Sequence, residues 1–139
     1  MKEKISSMAI VIVKDSLNVL LLNNEGEWVF PKGHVEENED FIDTAIRELK
    51  EESGILVHRN ECLGQIDEFK FYFDGENAMK VIKVFAFLVN ELQDINYSKQ
   101  EGFIDGKWFN SEDAINYLTH DDARNALKKA LNKIKNTTL

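Results

Sequence analysis

The sequence predicts an α/β fold in which a mixed sheet is covered by helices. Three observations carry this. Apolar, β-branched runs of strand length stand at Ser7 to Val13, Val19 to Leu22 and Lys80 to Val89. Helical apolar spacing stands at Asp40 to Ser53 and Asp121 to Lys135. The order along the chain is strands, helix, strands, helices, with no repeat, low-complexity tract or linker.

Each element has its own signal. Ser7 to Val13 reads as a buried strand, Asp15-Ser16 as a turn and Val19 to Leu22 as its hairpin partner. Asn23-Asn24-Glu25-Gly26 is a second turn. Trp28-Val29-Phe30 is short and extended, and the only proline, Pro31, ends it. Residues 31 to 39 read as a polar loop. In the helix that follows, Ile42, Ala45, Ile46 and Leu49 form one apolar stripe, Asp40 is the N-cap and Gly54 the C′ glycine. Cys62 to Phe73 and Lys80 to Val89 read as extended, with Gly75 in the turn between them. Phe69, Phe71 and Phe73 are expected to face the core, with Tyr72 on the other face. Lys107 to Phe109 is a short strand. Ser111 is the expected cap of a short helix to Tyr117, and Ala123, Ala126, Leu127, Ala130, Leu131 and Ile134 stripe the last helix.

The length of 139 residues predicts one domain over 1–139. With 17 basic and 25 acidic residues, the net charge of −8 argues against a stable nucleic-acid complex, which needs a basic footprint. It leaves room for a small anionic ligand if a divalent cation inverts the local field. The single cysteine, Cys62, excludes an intrachain disulfide and reads as a small buried hydrophobe. No apolar run reaches a membrane span of ~18 residues, and no secretory cleavage pattern follows the start. A cytoplasmic protein is expected. The oligomeric state is open.

The first helix carries a feature that stability alone does not select. Glu48, Glu51 and Glu52 stand at i, i+3 and i+4, on one side of the helix. Each like-charge pair costs about 0.2–0.5 kcal/mol, and negative charge is further disfavoured near a helix C-terminus. A bare run of this kind is most often a solvated acidic face. Converging carboxylates become favourable around a hard cation such as Mg²⁺. The surroundings decide between the two. Gly33, Glu39, Arg47, Glu48, Glu51, Glu52 and Gly54, with apolar Leu49 and Ile55, follow the order G-x5-E-x7-R-E-U-x-E-E-x-G-U, where U is a bulky apolar residue. Chance would give it at on the order of 10⁻⁹ per starting position.

This pattern resembles the Nudix box without departure. The resemblance implies a Nudix-type α/β/α sandwich and Mg²⁺- or Mn²⁺-dependent hydrolysis of a phosphoanhydride in a nucleotide-like substrate. It implies Glu48, Glu51 and Glu52 as metal ligands, with the Gly33 carbonyl as a further one. Glu39 and Arg47 would pair as structural support. Glu52 is the first candidate for general base and Glu48 the second.

A narrower resemblance concerns the substrate. Trp28-Val-Phe-Pro-Lys-Gly-His34 is similar to a segment of asymmetric diadenosine tetraphosphate hydrolases, shared with diphosphoinositol polyphosphate hydrolases. It implies Lys32 and His34 as phosphate contacts, although His34 has an equal alternative as a loop histidine with a backbone partner. Lys80-Val-Ile-Lys83-Val-Phe-Ala-Phe87 resembles a strand of bacterial members. Lys80 and Lys83 differ in parity, so at most one reaches the phosphates, and Lys83 is favoured. Tyr72 either stacks on a purine or is a half-buried sheet residue. Glu101 matches a loop carboxylate that related enzymes use on metal or as base, with a spacing to Trp108 about one residue loose. The leading expectation is diadenosine polyphosphate hydrolysis to ATP and AMP. The alternatives are a pyrophosphohydrolase for non-canonical nucleoside triphosphates, RNA 5′-pyrophosphate removal, which the acidic charge disfavours, and a non-catalytic Nudix-fold sensor.

Overall fold

The computed structural model describes residues 2–137. Seven strands form one mixed sheet: β1 (Lys2–Val13), β2 (Val19–Asn24), β3 (Glu27–Val29), β4 (Lys32–His34), β5 (Cys62–Phe73), β6 (Ala78–Val89) and β7 (Phe103–Phe109). Helices α1 (Phe41–Ser53), α2 (Ser111–Tyr117) and α3 (Asp121–Thr137) complete it. The backbone order is β3-β2-β1-β6-β5, with β4 also paired to β1 and β7 to β2. Only β1 and β6 run parallel, in register from Lys2–Ala78 to Val13–Val89.

The sheet divides the core in two. Met8, Ile10, Ile12, Ile82, Val84 and Ala86 pack under α2 and α3. Ala9, Val11, Val13, Phe85, Phe87 and Val89 pack under α1 with Ala45 and Leu49. Both faces of β1 and β6 are therefore covered, which is why these strands read as continuous apolar runs. The layers match the expected α/β/α sandwich. Among the described residues, no helix is long and apolar enough to cross a membrane.

Some boundaries differ from expectation, each through pairing that local sequence does not encode. Residues 32–34 form β4, antiparallel to Ser6–Met8, in place of the expected loop. Strand β1 begins at Lys2 because β6 pairs with it that far, and β7 begins at Phe103 opposite Asn24. The cap of α2 is Asn110, whose Oδ1 accepts from the Asp113 amide at 2.8 Å, while the Ser111 hydroxyl donates to the Leu17 carbonyl. Of the three phenylalanines expected in the core, only Phe69 packs there. Phe71 and Phe73 are 44% and 45% exposed, toward the tip of the β5–β6 hairpin.

Two fastenings place the site. The Arg47 guanidinium forks onto Glu39 (Nε to Oε2 2.7 Å, Nη2 to Oε1 3.0 Å) and donates to the His34 carbonyl at 3.0 Å, tying the segment after β4 to α1. At the far end of α1, the carbonyls of Glu52 and Ser53 accept from the Ser98 and Asn96 amides at 2.9 and 2.8 Å. This draws the segment before β7 against the helix end.

Gly54 ends α1 in the left-handed region (φ 75°), and a Cβ there would lie 3.1 Å from Asn96 Cβ. Gly54→Ala should cost about 1–2 kcal/mol in urea unfolding, and an unchanged midpoint would show that the turn relaxes freely. Glu39 generates a pH prediction. Arg47 first, then the Thr44 hydroxyl, hold its carboxyl down at about 2 against an ordinary 4.5. A depressed folded-state pKa gives stability that is complete above about 4.5 and lost as pH falls toward about 2. Parent should therefore be more stable than Glu39→Gln at pH 7, and the gap should close across that window. A gap independent of pH would assign the effect to shape instead of charge.

Candidate active site

Glu48 and Glu52, one turn apart on α1, meet Glu101 from the segment before β7, with one carboxylate oxygen of each within 4.8 Å of the others. Glu52 is buried, at 7% exposure, and its Oε1 accepts from the Lys32 amide at 3.3 Å. Glu48 reaches its place because residue 33 has no side chain: a Cβ there would overlap the Glu48 carboxyl group. Arg47 Nη1 donates to Glu48 at 2.8 Å. Glu51 stands outside this cluster, 45% exposed and 3.3 Å from Arg47.

The electrostatics are those of an anionic centre lacking compensation. Burial, a hydrogen bond shared with Glu48 and the Glu48 charge push the Glu52 carboxyl far up, and Glu101 adds to this. Burial and then Glu48 and Glu51 raise Glu101 as well. Protons answer such crowding when nothing else does. The donor set consists of carboxylate oxygens, which suits a hard divalent cation such as Mg²⁺ or Mn²⁺. The residues fit that ion: Glu48, Glu52 and Glu101 would hold it, with Glu51 on the same helix and Gly33 of β4 packed against the Glu48 carboxyl group.

Two cavities adjoin the cluster. The larger, about 820 Å³, has Glu52 and Glu101 in its wall, Phe69 and Phe71 on one side, and Asn24, His120 and Asp122 among its polar lining. The smaller, about 310 Å³, is lined by Ser6, Gly33, His34, Phe73 and Lys80. Lys32, Phe71 and Ile82 line both, so the two form one groove.

The structure brings Lys32, His34, Glu52 and Glu101 to this groove and leaves two expected residues elsewhere. Lys83, the lysine favoured for the phosphates, lies on the α1 side, 2.8 Å from Glu68 and over the Phe41 ring at 4.7 Å. Lys80 takes the groove position, 3.3 Å from Glu76. Register explains the exchange. Phe71 pairs with Lys80 and Glu68 with Lys83, so the phenylalanines share a face with Lys80. For the same reason Tyr72 points away from the groove and donates to Asn77 Oδ1 at 2.7 Å. His34 is exposed, with Nδ1 3.3 Å from Ser6 Oγ. Phe69, Phe71, Asn24, His120 and Asp122 are groove residues that the sequence does not single out. For the two phenylalanines the alternation is visible and only the open face is not. His120 is placed by long-range contacts, 3.1 Å from Glu27, beside Thr119, whose hydroxyl and amide both bond to the Trp28 backbone.

Known proteins resemble this chain in sequence and in fold. The NUDIX domain model matches residues 4–131. The asymmetrical bis(5′-nucleosyl)-tetraphosphatase of Caenorhabditis elegans is 31% identical over 102 residues, covering 73% of this chain and 72% of that protein. The 8-oxo-dGTP diphosphatase of Buchnera aphidicola is 33% identical over 101 residues, covering 68% and 70%. A crystal structure of the C. elegans Ap4A hydrolase in a binary complex superposes with a TM-score of 0.73 at 24% identity, over 98% of this chain and 99% of that one. A family match over residues 4–131, a span that includes the carboxylate cluster, establishes that this protein belongs to the Nudix family and is a hydrolase of that family.

Proposed function

We propose that this enzyme hydrolyses dinucleoside polyphosphates, with a diadenosine polyphosphate cleaved to ATP and AMP as the leading case. The observation that carries this reading is the bipartite groove: an aromatic-walled cavity large enough for a nucleoside, joined at Lys32 to a smaller one containing Lys80 and His34. Several cations beside the carboxylates suit a phosphate chain of four or more better than one of three. The likeness to the C. elegans tetraphosphatase supports the same substrate class.

The chain's own residues divide the work as follows. Phe69 and Phe71 offer ring faces to a base. Lys32 and Lys80 supply point charges to phosphate oxygens, and His34 adds a ring N–H. A divalent cation held by Glu48, Glu52 and Glu101 would neutralise developing phosphoryl charge and lower the pKa of water. Glu52 takes the proton of the attacking water: unlike Glu48 it lines the substrate cavity as well as belonging to the cluster, and unlike Glu101, which does both, it is buried. The water oxygen bonds to phosphorus as the bridging P–O bond breaks, and the leaving phosphate departs as an anion.

A second reading has its own support. The large cavity alone accommodates a single nucleoside, and Glu25, Glu27 and Asp122 in its lining are acceptors for base N–H groups. That arrangement suits a nucleoside triphosphate pyrophosphohydrolase, the activity named for the B. aphidicola relative. A sensor without catalysis is disfavoured by the complete set of box carboxylates.

Glu52→Gln keeps shape and removes charge. It should lower kcat with Mg²⁺ by at least ~10²-fold while leaving the circular dichroism unchanged; full activity would place the chemistry elsewhere. On substrate, kcat/KM for diadenosine tetraphosphate should exceed that for any simple nucleoside triphosphate. Lys80→Met should raise KM for the tetraphosphate more than for a triphosphate, and Lys83→Met should move neither. A tenfold preference for an oxidised triphosphate, about 1.4 kcal/mol in transition-state binding, would replace this reading with the second one.

A further inference from the structure

The only buried side-chain polar atom without a hydrogen-bond partner among the described residues is Ser7 Oγ. Ser7 lies in β1 at 0% exposure. A buried, unsatisfied hydroxyl costs stability, and alanine would fit the same space without that cost. Its place in the sheet indicates what it serves. Ser7 is directly opposite Gly33 across the β1–β4 ladder. Alternation puts it on the side of Ala9 and Val11, which pack under α1. Directly opposed Cβ positions in an antiparallel pair lie about 4.5–5.5 Å apart. The Cβ position on Gly33 falls inside the Glu48 carboxyl group. The Ser7 side chain therefore faces, across the β1–β4 ladder, the point that the Glu48 carboxyl group occupies.

We propose that Ser7 is a positioning residue for Glu48: its hydroxyl donates to the Glu48 carboxylate, directly or through one water, when that carboxylate turns from Arg47 to hold a divalent cation. The proposal rests on the reading of Glu48 as a metal-holding group and is independent of the substrate. Arg47 donates to Glu48 from its own helix, whereas Ser7 approaches from the sheet. Held from the sheet side, the Glu48 carboxylate would keep its remaining lone pairs for a cation shared with Glu52 and Glu101. Loss of an outer hydrogen bond of this kind costs metal centres roughly tenfold or more in affinity.

The test uses the full chain with Mn²⁺ as probe, its binding read by electron paramagnetic resonance without substrate, and thermal unfolding without metal. Ser7→Ala should unfold at the parent temperature or higher and bind Mn²⁺ roughly tenfold more weakly. In a Glu48→Ala background, which removes the acceptor altogether, the same change should leave Mn²⁺ affinity unaltered. Mn²⁺ affinity within twofold of parent would overturn the proposal, as would a lower unfolding temperature, which would mean that the hydroxyl supports the metal-free fold. Persistence of the effect in the Glu48→Ala background would also overturn it, by showing action through another group. A parent chain that binds no Mn²⁺ would defeat the metal reading of Glu48 as well, whereas the first three outcomes defeat only the role of Ser7.

Discussion

The guanidinium of Arg47 commits its N–H donors to one small patch. Glu39 receives two, Glu48 and Glu51 share a third group, and the His34 carbonyl takes another. These partners come from α1 itself, from the segment leading into it and from the end of β4. One planar fork thus fixes the approach of β4 to the helix, and with it the fit of Gly33 against Glu48. A lysine has neither the fork nor enough donors to do this. Its partners hold the Arg47 charge firmly in place, raising its pKa further, with Glu39 the largest contributor. Beneath it, the parallel pairing of β1 and β6 provides a rigid floor that sets where β4 can lie.

Charge is arranged here against local stability. The negative end of the α1 dipole already faces Glu51 and Glu52. Capping of that end could have brought a basic side chain. It brings backbone amides of Asn96 and Ser98 instead, and these carry Glu101 toward Glu48 and Glu52. Burial first, and then the neighbouring Glu48 and Glu101, push the Glu52 carboxyl upward. Conflict between a local rule and the structure is expected where function selects against stability. A cation-binding role resolves all three anomalies together: the helix-end glutamates, the burial of Glu52 and the approach of Glu101.

What can be read from the sequence follows the range of the interactions. The box helix is legible because its determinants are contiguous: the Asp40 cap, the apolar stripe and Gly54 all act within a few turns. The covered strands are legible because both faces of β1 and β6 are apolar. Strand β4 is not, since Lys32-Gly33-His34 has no strand signal and extends only because β1 offers it an edge. Among site residues, Glu48 and Glu52 follow from helical spacing and the family pattern. The parity argument for Lys80 and Lys83 is sound in separating the two, but it does not say which face stays open. That depends on where α3 stops covering β5, at Phe69, leaving Phe71 and Lys80 beside the groove.

The same distinction of range separates chemistry from specificity in this molecule. The carboxylates and their supports lie largely in residues 33–55, where helix geometry alone sets their spacing. The groove is assembled from the β2–β3 turn, β5, β6, the segment before β7 and the start of α3. Its members meet only through sheet register and helix docking, and each segment can change without disturbing the box. Phe71 shows how sharply this works. A slip of β5 by one residue against β6 would turn Phe71 away from the groove and bring Tyr72 toward it, while Lys80 stays, held by the pairing of β6 with β1. If the groove holds the substrate as proposed, substrate choice is a property of strand register as much as of residue identity, while the proposed hydrolytic centre stays with α1.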